Sequence, residues 1–409
     1  MHIEKWFNTA EIKRFYFPGK IFVGRGVFEH AVIICKDIDG PVAIIVDKVF
    51  AEKPAVVNAL ASLKNSMAGI KVIEGAPIAQ DVLAFVKELD ASPAAILAIG
   101  GGSVTDFAKA IVSHYVFGSF DGIGLGGHVP NAQASKPLLV SVPTTAGSGA
   151  EASRYFVTYD RHDHHKIFGK SWDLIADWIM LDPIFLDSMP EDILVSCAFD
   201  AFVHLFETLV CQYERSWIGD MFSVNGIAQT MEALNRAIYH GERNDDVHAS
   251  LMQTATIGGM AISNVRTGNM HEAAGALLEL TNLSHPETLY VFFRDVVEQY
   301  KHAIHEREKL LLAHLRLMPS FEKFNALDDI IGWWEAIFRK VGLDKKVRDG
   351  VAACNYPVSQ VREHVYKRVF SDKVWINKES PVMLDEQAIR LFIDRSFARF
   401  GFGAEAANS

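Results

Sequence analysis

The sequence predicts two domains of different class: an α/β domain on a parallel sheet over residues 1–185, and an all-helical domain over residues 186–409. Three observations carry this. Short apolar runs alternate with amphipathic segments through the first half of the chain. Beyond Pro190 the apolar residues keep helical spacing, with no convincing strand among them. Between the two textures lies "LDPIFLDSMPED", whose two prolines interrupt either pattern. A chain of 409 residues is long enough for two separate cores.

In order, "PVAIIVD" (41–47) is a buried strand ending in a carboxylate and "AVVNALASLKNSM" an amphipathic helix. "IKVIEGA" is a strand and "QDVLAFVKELD" a helix. "AAILAIGGGS" is a strand running into three glycines, and "VTDFAKAIVSHYV" is the helix they open. "PLLVSVPTTAGSG" repeats the passage from strand into a loop of small residues. Such alternation favours a parallel sheet covered by helices on both faces. "FDGIGLGGHVP" (120–130) reads as an inserted loop, since its glycines follow no clear strand. "DRHDHHK" (160–166) reads as a polar hairpin. In the second half, "PEDILVSCAFDAFVHLFETLVCQY", "GIAQTMEALNRAIYHG", "HASLMQTATIGGMAIS", "REKLLLAHLRL" and "DEQAIRLFIDRSFARF" are helices. Trp333 and Trp334 read as core or interface residues, and the tail "GAEAANS" as a frayed end.

A formal charge of −10 argues against a general nucleic-acid binder, which needs basic surface. It leaves room for an anionic small molecule, because a local basic cluster can sit on an acidic protein. The four cysteines form no CxxC pair and suggest no disulfide framework, so reduced cytosolic thiols are the economical reading. The N-terminal "MHIEKWFNTAEIKRFYF" is mixed and polar, unlike a secretory signal. No uninterrupted apolar run approaches the length of a membrane span. A cytoplasmic protein acting on a small molecule is expected, with an isologous homodimer as the base-rate assembly.

Four features carry chemistry. Gly100, Gly101 and Gly102 lie between a strand and a helix, where bare backbone and free N–H groups can approach a pyrophosphate, with Ser103 adding a hydroxyl. The alternative is a tight turn without a ligand, although three glycines in a row exceed what a turn needs. Thr144, Thr145 and Ser148 form a second loop that could hold polar parts of a nucleotide. Asp47 ends a strand, where a carboxylate can accept from an adenosine ribose and repel a 2′-phosphate, favouring NAD over NADP. Equally, it is an Asp leaving the sheet for solvent. Asp200 and His204 are one helical turn apart on one face, and His271 and His285 follow. One oxygen and three nitrogens suit a catalytic divalent metal with a coordination position left open. The alternative is four unrelated polar residues in a chain with 16 histidines.

The motifs "GGGSVTDFAK", "PTTAGSGAE", "LDP…MPEDI…FDAFVHLFE" and "MHEAAGALLELTNLSH" together resemble those of the iron-containing (group III) alcohol dehydrogenases. That family is related in fold to dehydroquinate synthase and glycerol-1-phosphate dehydrogenase. The resemblance covers most of the first 290 residues. It implies one divalent metal, Fe²⁺ or Zn²⁺, bound by Asp200, His204, His271 and His285. It implies NAD(P) phosphates at Gly100–Ser103, with Asp106, Thr144, Thr145, Ser148 and Lys166 also lining the cofactor site. The active site is then expected in the cleft between the two domains. The metal would polarise a hydroxyl, and hydride would pass to the nicotinamide.

The chain departs from the family at several points. Gly275 stands where relatives often carry a second histidine, four residues after the one matching His271. Pro286 replaces a glycine after the last ligand, and the usual proline before Asp182 is missing near Ala176–Asp177. Arg154, Asn264, Arg266 and Asn269 add polar groups near the motifs, with Arg154 and Arg266 as candidate partners of a substrate anion. They read equally as salt-bridge or cofactor contacts. The resemblance thus implies an NAD-dependent oxidoreductase acting on CH–OH groups, interconverting a primary alcohol and an aldehyde. Its expected substrate is a polar or acidic polyol such as a sugar acid, including the eight-carbon acid Kdo at its C8 hydroxyl. Alternatives are a reductase of a phosphonate or other acidic aldehyde, a dehydroquinate synthase-like cyclase, and a non-catalytic nucleotide-binding protein.

Overall fold

Continuous apolar runs become the interior of a sheet. In the computed structural model, which describes residues 15–17, 19–89, 91–118, 136–162, 165–212, 214–370 and 376–402, two compact units are found. The expected insertion at 120–130 and the tail from 403 on lie outside the described residues, as do most of the N-terminal segment and residues 163–164.

The α/β unit comprises Phe17–Met189 and His240–Ser263. Its strands are β1 (Lys20–Val23), β2 (Val42–Asp47), β3 (Met67–Ile73), β4 (Ala95–Gly100), β5 (Leu138–Pro143) and β8 (Trp178–Leu181). They pair in parallel in the order β1-β8-β5-β4-β2-β3. β4 is buried along its whole length and β2 at all but Asp47, as expected of central parallel strands covered on both faces. Helices α1 (Val27–Asp37) and α3 (Pro54–Ala61) pack Ala31, Val32, Val56 and Leu60 against Val42, Ile44 and Val46 on one face. α4 (Ala79–Glu88) and α5 (Gly102–Phe117) meet through Phe85 and Phe107, whose rings are 6.3 Å apart. The short α2 (Lys48–Ala51) follows β2 directly. β6 (Tyr155–Tyr159) and β7 (Lys166–Lys170) form the expected hairpin as a separate antiparallel pair.

The strand order places β2 between β3 and β4, so chain direction across the sheet reverses between β2 and β4. In an open α/β sheet, the carboxyl ends at such a switch point form the ligand crevice. Asp47 ends β2 and Gly100 ends β4 there. At the other end of the sheet Asp182, just after β8, is buried. One of its oxygens accepts from Gly26 and Phe28 N–H at 2.9 and 3.1 Å and so caps α1. Asp177 takes its own structural role, accepting from Leu139 N–H and pairing with Lys136.

The α8 helix (Asp245–Asn264) belongs to this unit up to Ser263, although it lies far along the chain among helical segments. Small residues account for its docking. A Cβ at Gly259 would lie 1.9 Å from the Gly149 carbonyl oxygen, so only glycine permits this approach. Thr256 donates to buried Glu151 at 2.7 Å, and Ser263 Oγ accepts from Arg154 N–H at 2.9 Å.

Among the described residues, the helical unit comprises Phe15 and Tyr16, Pro190–Tyr239 and Asn264–Phe402. It holds α6 (Glu191–Val210), α7 (Trp217–Tyr239), α9 (Asn269–Leu278), α10 (His285–Tyr300), α11 (His305–Leu315) and α12 (Leu327–Lys340). These are followed by α13 (Leu343–Ala352), α14 (Val358–Phe370), α15 (Ile376–Glu379) and α16 (Glu386–Phe400). No strand occurs among its described residues. The core is aromatic: Phe199 packs edge-on against Phe293, Trp334 and Phe338 at 4.9–5.3 Å. Trp334 is fully buried, as a core residue should be. By length and composition α6 could cross a membrane, and 89% of that apolar stretch is buried within the protein.

Candidate functional site

Helix periodicity gives α6 two different faces. Phe199, Phe202 and Phe206 enter the aromatic core, whereas Asp200, His204 and Glu207 follow one another at spacings of four and three on a polar stripe. Each of the three is buried. His271 sits in the first turn of α9, and His285 opens α10. The α10 start is fixed locally: Glu287 accepts the Ser284 N–H at 2.8 Å, and Pro286 occupies the first turn, where a missing N–H does no harm. The unusual Pro286 therefore fits without disturbing the position of His285.

Asp200, His204 and His271 gather with their ligand atoms all within 4.8 Å of one another, and His285 approaches the group through Asp200. From Asp200 Oδ1, the Nε2 atoms of His204, His271 and His285 lie 3.9, 4.0 and 3.7 Å away. The His204 and His271 rings stack at 4.7 Å. Such separations are too long for hydrogen bonds. They are slightly wider than the ~3.4 Å between ligand atoms of a tetrahedral site with bonds of about 2.1 Å. Asp200 Oδ1 is buried and has no hydrogen-bond partner among the described residues. A buried carboxylate oxygen left so, with three imidazoles facing it, fits a divalent cation.

Glu207 was not among the predicted site residues. Its carboxyl group shares a 2.5 Å hydrogen bond with His271 Nδ1 and accepts from the backbone N–H groups of Gly268 and Met270 at 2.8 Å each. A Cβ on Gly268 would stand 2.7 Å from Glu207 Oε1, so a glycine is needed for this approach. With its proton on Nδ1, His271 donates to Glu207 and turns the Nε2 lone pair toward Asp200. Burial pushes the Glu207 carboxyl up to about 7, against the opposing pull of these N–H donors and of His204. The spacing of Asp200, His204 and Glu207 was the available signal for it. One turn beyond His271, Gly275 is open: a Cβ there meets nothing within 4 Å.

Of the predicted nucleotide residues, Asp47, Gly100, Gly101, Gly102, Ser103, Thr144, Thr145 and Ser148 lie at or just after the ends of β2, β4 and β5, whereas Asp106 lies within α5 and Lys166 begins β7. A Cβ on Gly100 would collide with Val104 and come within 3.1 Å of the Asp47 Cβ. Cβ atoms on Gly101 and Gly102 would crowd Thr145 Oγ1 at 3.0 Å and Ser148 Oγ at 2.9 Å. The three glycines thus let the two loops pack together and leave N–H groups at the start of α5. Asp47 Oδ1 accepts the Val49 N–H at 2.8 Å and caps α2. Asp106 Oδ2 accepts from Val157 N–H at 3.0 Å, and burial pushes its carboxyl up to about 6 while Lys109 pulls it down. Lys166 is exposed at the start of β7.

Lys109 was not anticipated either. It is fully buried, and its ammonium donates to Ser153 O at 2.6 Å, Tyr155 O at 2.8 Å and the Ala150 carbonyl. Burial lowers its pKa to about 8, opposed by Asp106 and Glu151. It ties α5 to the segment that follows the second loop.

The four extra polar residues all have protein partners. The Arg154 guanidinium is buried over the Trp172 ring at 4.3 Å. Arg266 pairs with Glu379 at 3.0 Å. Asn264 bonds the Tyr16 backbone in both directions, and Asn269 donates to Asn377 at 3.1 Å.

Comparisons with known proteins identify the family and the fold. Residues 18–183 match the family profile described as iron-containing alcohol dehydrogenase, and residues 194–362 match that of the Fe-containing alcohol dehydrogenase family, C-terminal. Over 245 residues the chain is 28% identical to 4-hydroxybutyrate dehydrogenase of Clostridium kluyveri, covering 58% of this chain and 64% of that one. The match therefore spans just under two thirds of that relative. The iron-containing alcohol dehydrogenase of Thermococcus thioreducens superposes with a TM-score of 0.77 at 19% identity, over 94% of this chain and all of its own. Sulfoacetaldehyde reductase of Bifidobacterium kashiwanohense, solved with NAD⁺, superposes with a TM-score of 0.76 at 16% identity, over 94% of this chain and 99% of that one. With the two profiles together spanning most of its length, the chain belongs to the iron-containing alcohol dehydrogenase family.

Proposed function

We propose that this protein is an NAD-linked, divalent-metal-dependent dehydrogenase that interconverts a primary alcohol and an aldehyde, and that its substrate carries an anionic group. The convergence of three imidazole nitrogens on the buried Asp200 Oδ1 is the observation that carries this reading. Asp200, His204, His271 and His285 would hold the ion, Fe²⁺ by the family's description, with Zn²⁺ suited to the same donors. A divalent ion at these residues supplies Lewis-acid polarisation of an alcohol oxygen, and NAD supplies the hydride acceptor.

The chain's own contribution is positional. Glu207 fixes the ring of His271 and its tautomer. Burial of Asp200 and His204 keeps water from competing for their lone pairs. Gly100, Gly101, Gly102 and Ser103 offer backbone N–H groups to a pyrophosphate at the start of α5, with Thr144, Thr145 and Ser148 beside them. Asp106 and Lys166 complete this cofactor site, and Asp47 disfavours the extra phosphate of NADP.

The anionic substrate is supported by two relatives, each 28% identical over the matched residues, whose names specify an acid or a sulfonate: 4-hydroxybutyrate dehydrogenase of Clostridium kluyveri and sulfoacetaldehyde reductase of Bilophila wadsworthia. The open position at Gly275 leaves room for a larger member of the class, such as a sugar acid oxidised at a terminal hydroxyl. Arg154, over the Trp172 ring, and Arg266, paired with Glu379, are the cations this reading offers to that anion, each already seated by a contact within the protein.

The test is an NADH-forming screen of metal-reconstituted protein against ω-hydroxy acids, sugar acids including Kdo, hydroxyalkyl sulfonates and phosphonates, and butanol. At least one acid should exceed butanol in kcat/KM by roughly tenfold or more, the worth of one charge-assisted contact of about 1.5–3 kcal/mol. Equal kcat/KM for butanol and every acid would remove the anionic specificity. No turnover of any alcohol or aldehyde would remove the dehydrogenase reading itself.

A further inference from the structure

The loop that delivers His271 is held on two sides. On one side Glu207 takes the Gly268 and Met270 N–H groups. On the other side stands a segment more than a hundred residues away in sequence, 376–384, which lies beyond the stretch matched by either family profile. There Glu379 places both carboxylate oxygens 3.0–3.1 Å from Arg266 Nη1. Asn377 Oδ1 accepts from the buried Asn269 side chain at 3.1 Å and is itself held by the Leu384 N–H at 3.0 Å. The same segment grips the end of α6: the Glu379 carbonyl accepts the Gln212 N–H at 2.8 Å, and the Pro381 carbonyl accepts from the Gln212 side chain at 2.7 Å. α6 carries Asp200, His204 and Glu207.

Arg266 has a φ of +102°, a conformation that residues with a side chain rarely adopt. Such a conformation persists where the surroundings over-determine it, and here the Glu379 pair is the visible restraint. The strained residue lies two positions before Gly268, whose N–H is bound by Glu207.

We infer that residues 376–384 act as a strap that positions the metal centre, with Glu379 and Asn377 as positioning residues acting through Arg266 and Asn269. The strap joins the end of the helix bearing Asp200 and His204 to the loop bearing His271, so three of the four ligands share one brace. This rests on the metal reading above. It assigns a role to part of the chain that carries none of the family motifs.

The test is binding of Co²⁺ to the metal-free protein, read by its visible absorption and by competition with a chelator, alongside thermal unfolding of the same preparations. Glu379→Gln keeps the shape and removes the charge. It should weaken Co²⁺ binding by up to about tenfold, the lower end of what losing a direct partner of a ligand costs, and alter the absorption band. Arg266→Gly is the second variant, because glycine accepts a φ of +102° without strain. It should unfold at or above the wild-type temperature and still bind Co²⁺ more weakly, a combination that a merely structural brace would not produce. Wild-type affinity and spectrum in a folded Glu379→Gln or Arg266→Gly protein would overturn the strap and leave the metal site standing. Failure of the wild-type protein to bind Co²⁺ would instead remove the metal reading on which the strap rests.

Discussion

Asp47 is a helix cap in the structure, and the proposed function gives it a second role in selecting NAD. Its Oδ1 caps α2, and its charge stands at the switch point beside Gly100. Asp47→Ser separates the two, since serine still caps a helix but carries no charge. The expected outcome is an NAD/NADP ratio of kcat/KM shifted toward NADP with little change in unfolding free energy. A wild-type enzyme that strongly prefers NADP would contradict this assignment. The four metal candidates were legible as residues because their chemistry is rare and their motifs specific. Glu207 was legible only through its spacing, as the third member of the Asp200–His204 stripe. The partners of Arg154, Arg266, Asn264 and Asn269 were not legible. Arg266 meets Glu379 at a separation of 113 residues and Asn264 meets Tyr16 at 248, and no local pattern carries such pairings.

Among the elements, β2, β4 and β5 were readable because central parallel strands are apolar on both faces. β1 and α1 had no counterpart among the expected segments. β1 is four residues long and exposed throughout at the sheet edge, so it carries neither a buried run nor an alternation. The helix α5 was readable, but the burial of Lys109 on it was not, because a lysine in an amphipathic pattern reads as solvent-facing. Lys109→Met keeps the volume and leaves the Ser153 and Tyr155 carbonyls without their donor and Asp106 and Glu151 without their cation. A loss of about 3–5 kcal/mol in denaturant unfolding is expected, as for other broken buried charge arrangements. NAD affinity should fall with it, since the second loop leads into the segment Lys109 holds. Unfolding within about 0.5 kcal/mol of wild type, on the scale of an ordinary surface change, would mean that Lys109 is not the tie it resembles.

At the scale of the whole molecule, the fold class was legible because β–α alternation and helical spacing differ over long stretches. The exchange of chain segments between the units was not. α8 has the same helical periodicity as its neighbours, and its contacts in three dimensions, the Gly149–Gly259 approach and the Thr256–Glu151 and Arg154–Ser263 bonds, show which core it joins. The central claim for the molecule is that Asp200, His204, His271 and His285 form one metal centre on which turnover depends. The most direct measurement is metal content against NAD-linked alcohol oxidation in the same preparations of wild type and His271→Ala. Wild type should hold about one equivalent of Fe²⁺ or Zn²⁺ per chain, lose activity when stripped by chelator and regain it on reloading. His271→Ala should be low in both metal and turnover. Undiminished turnover in a verified metal-free preparation would contradict the account.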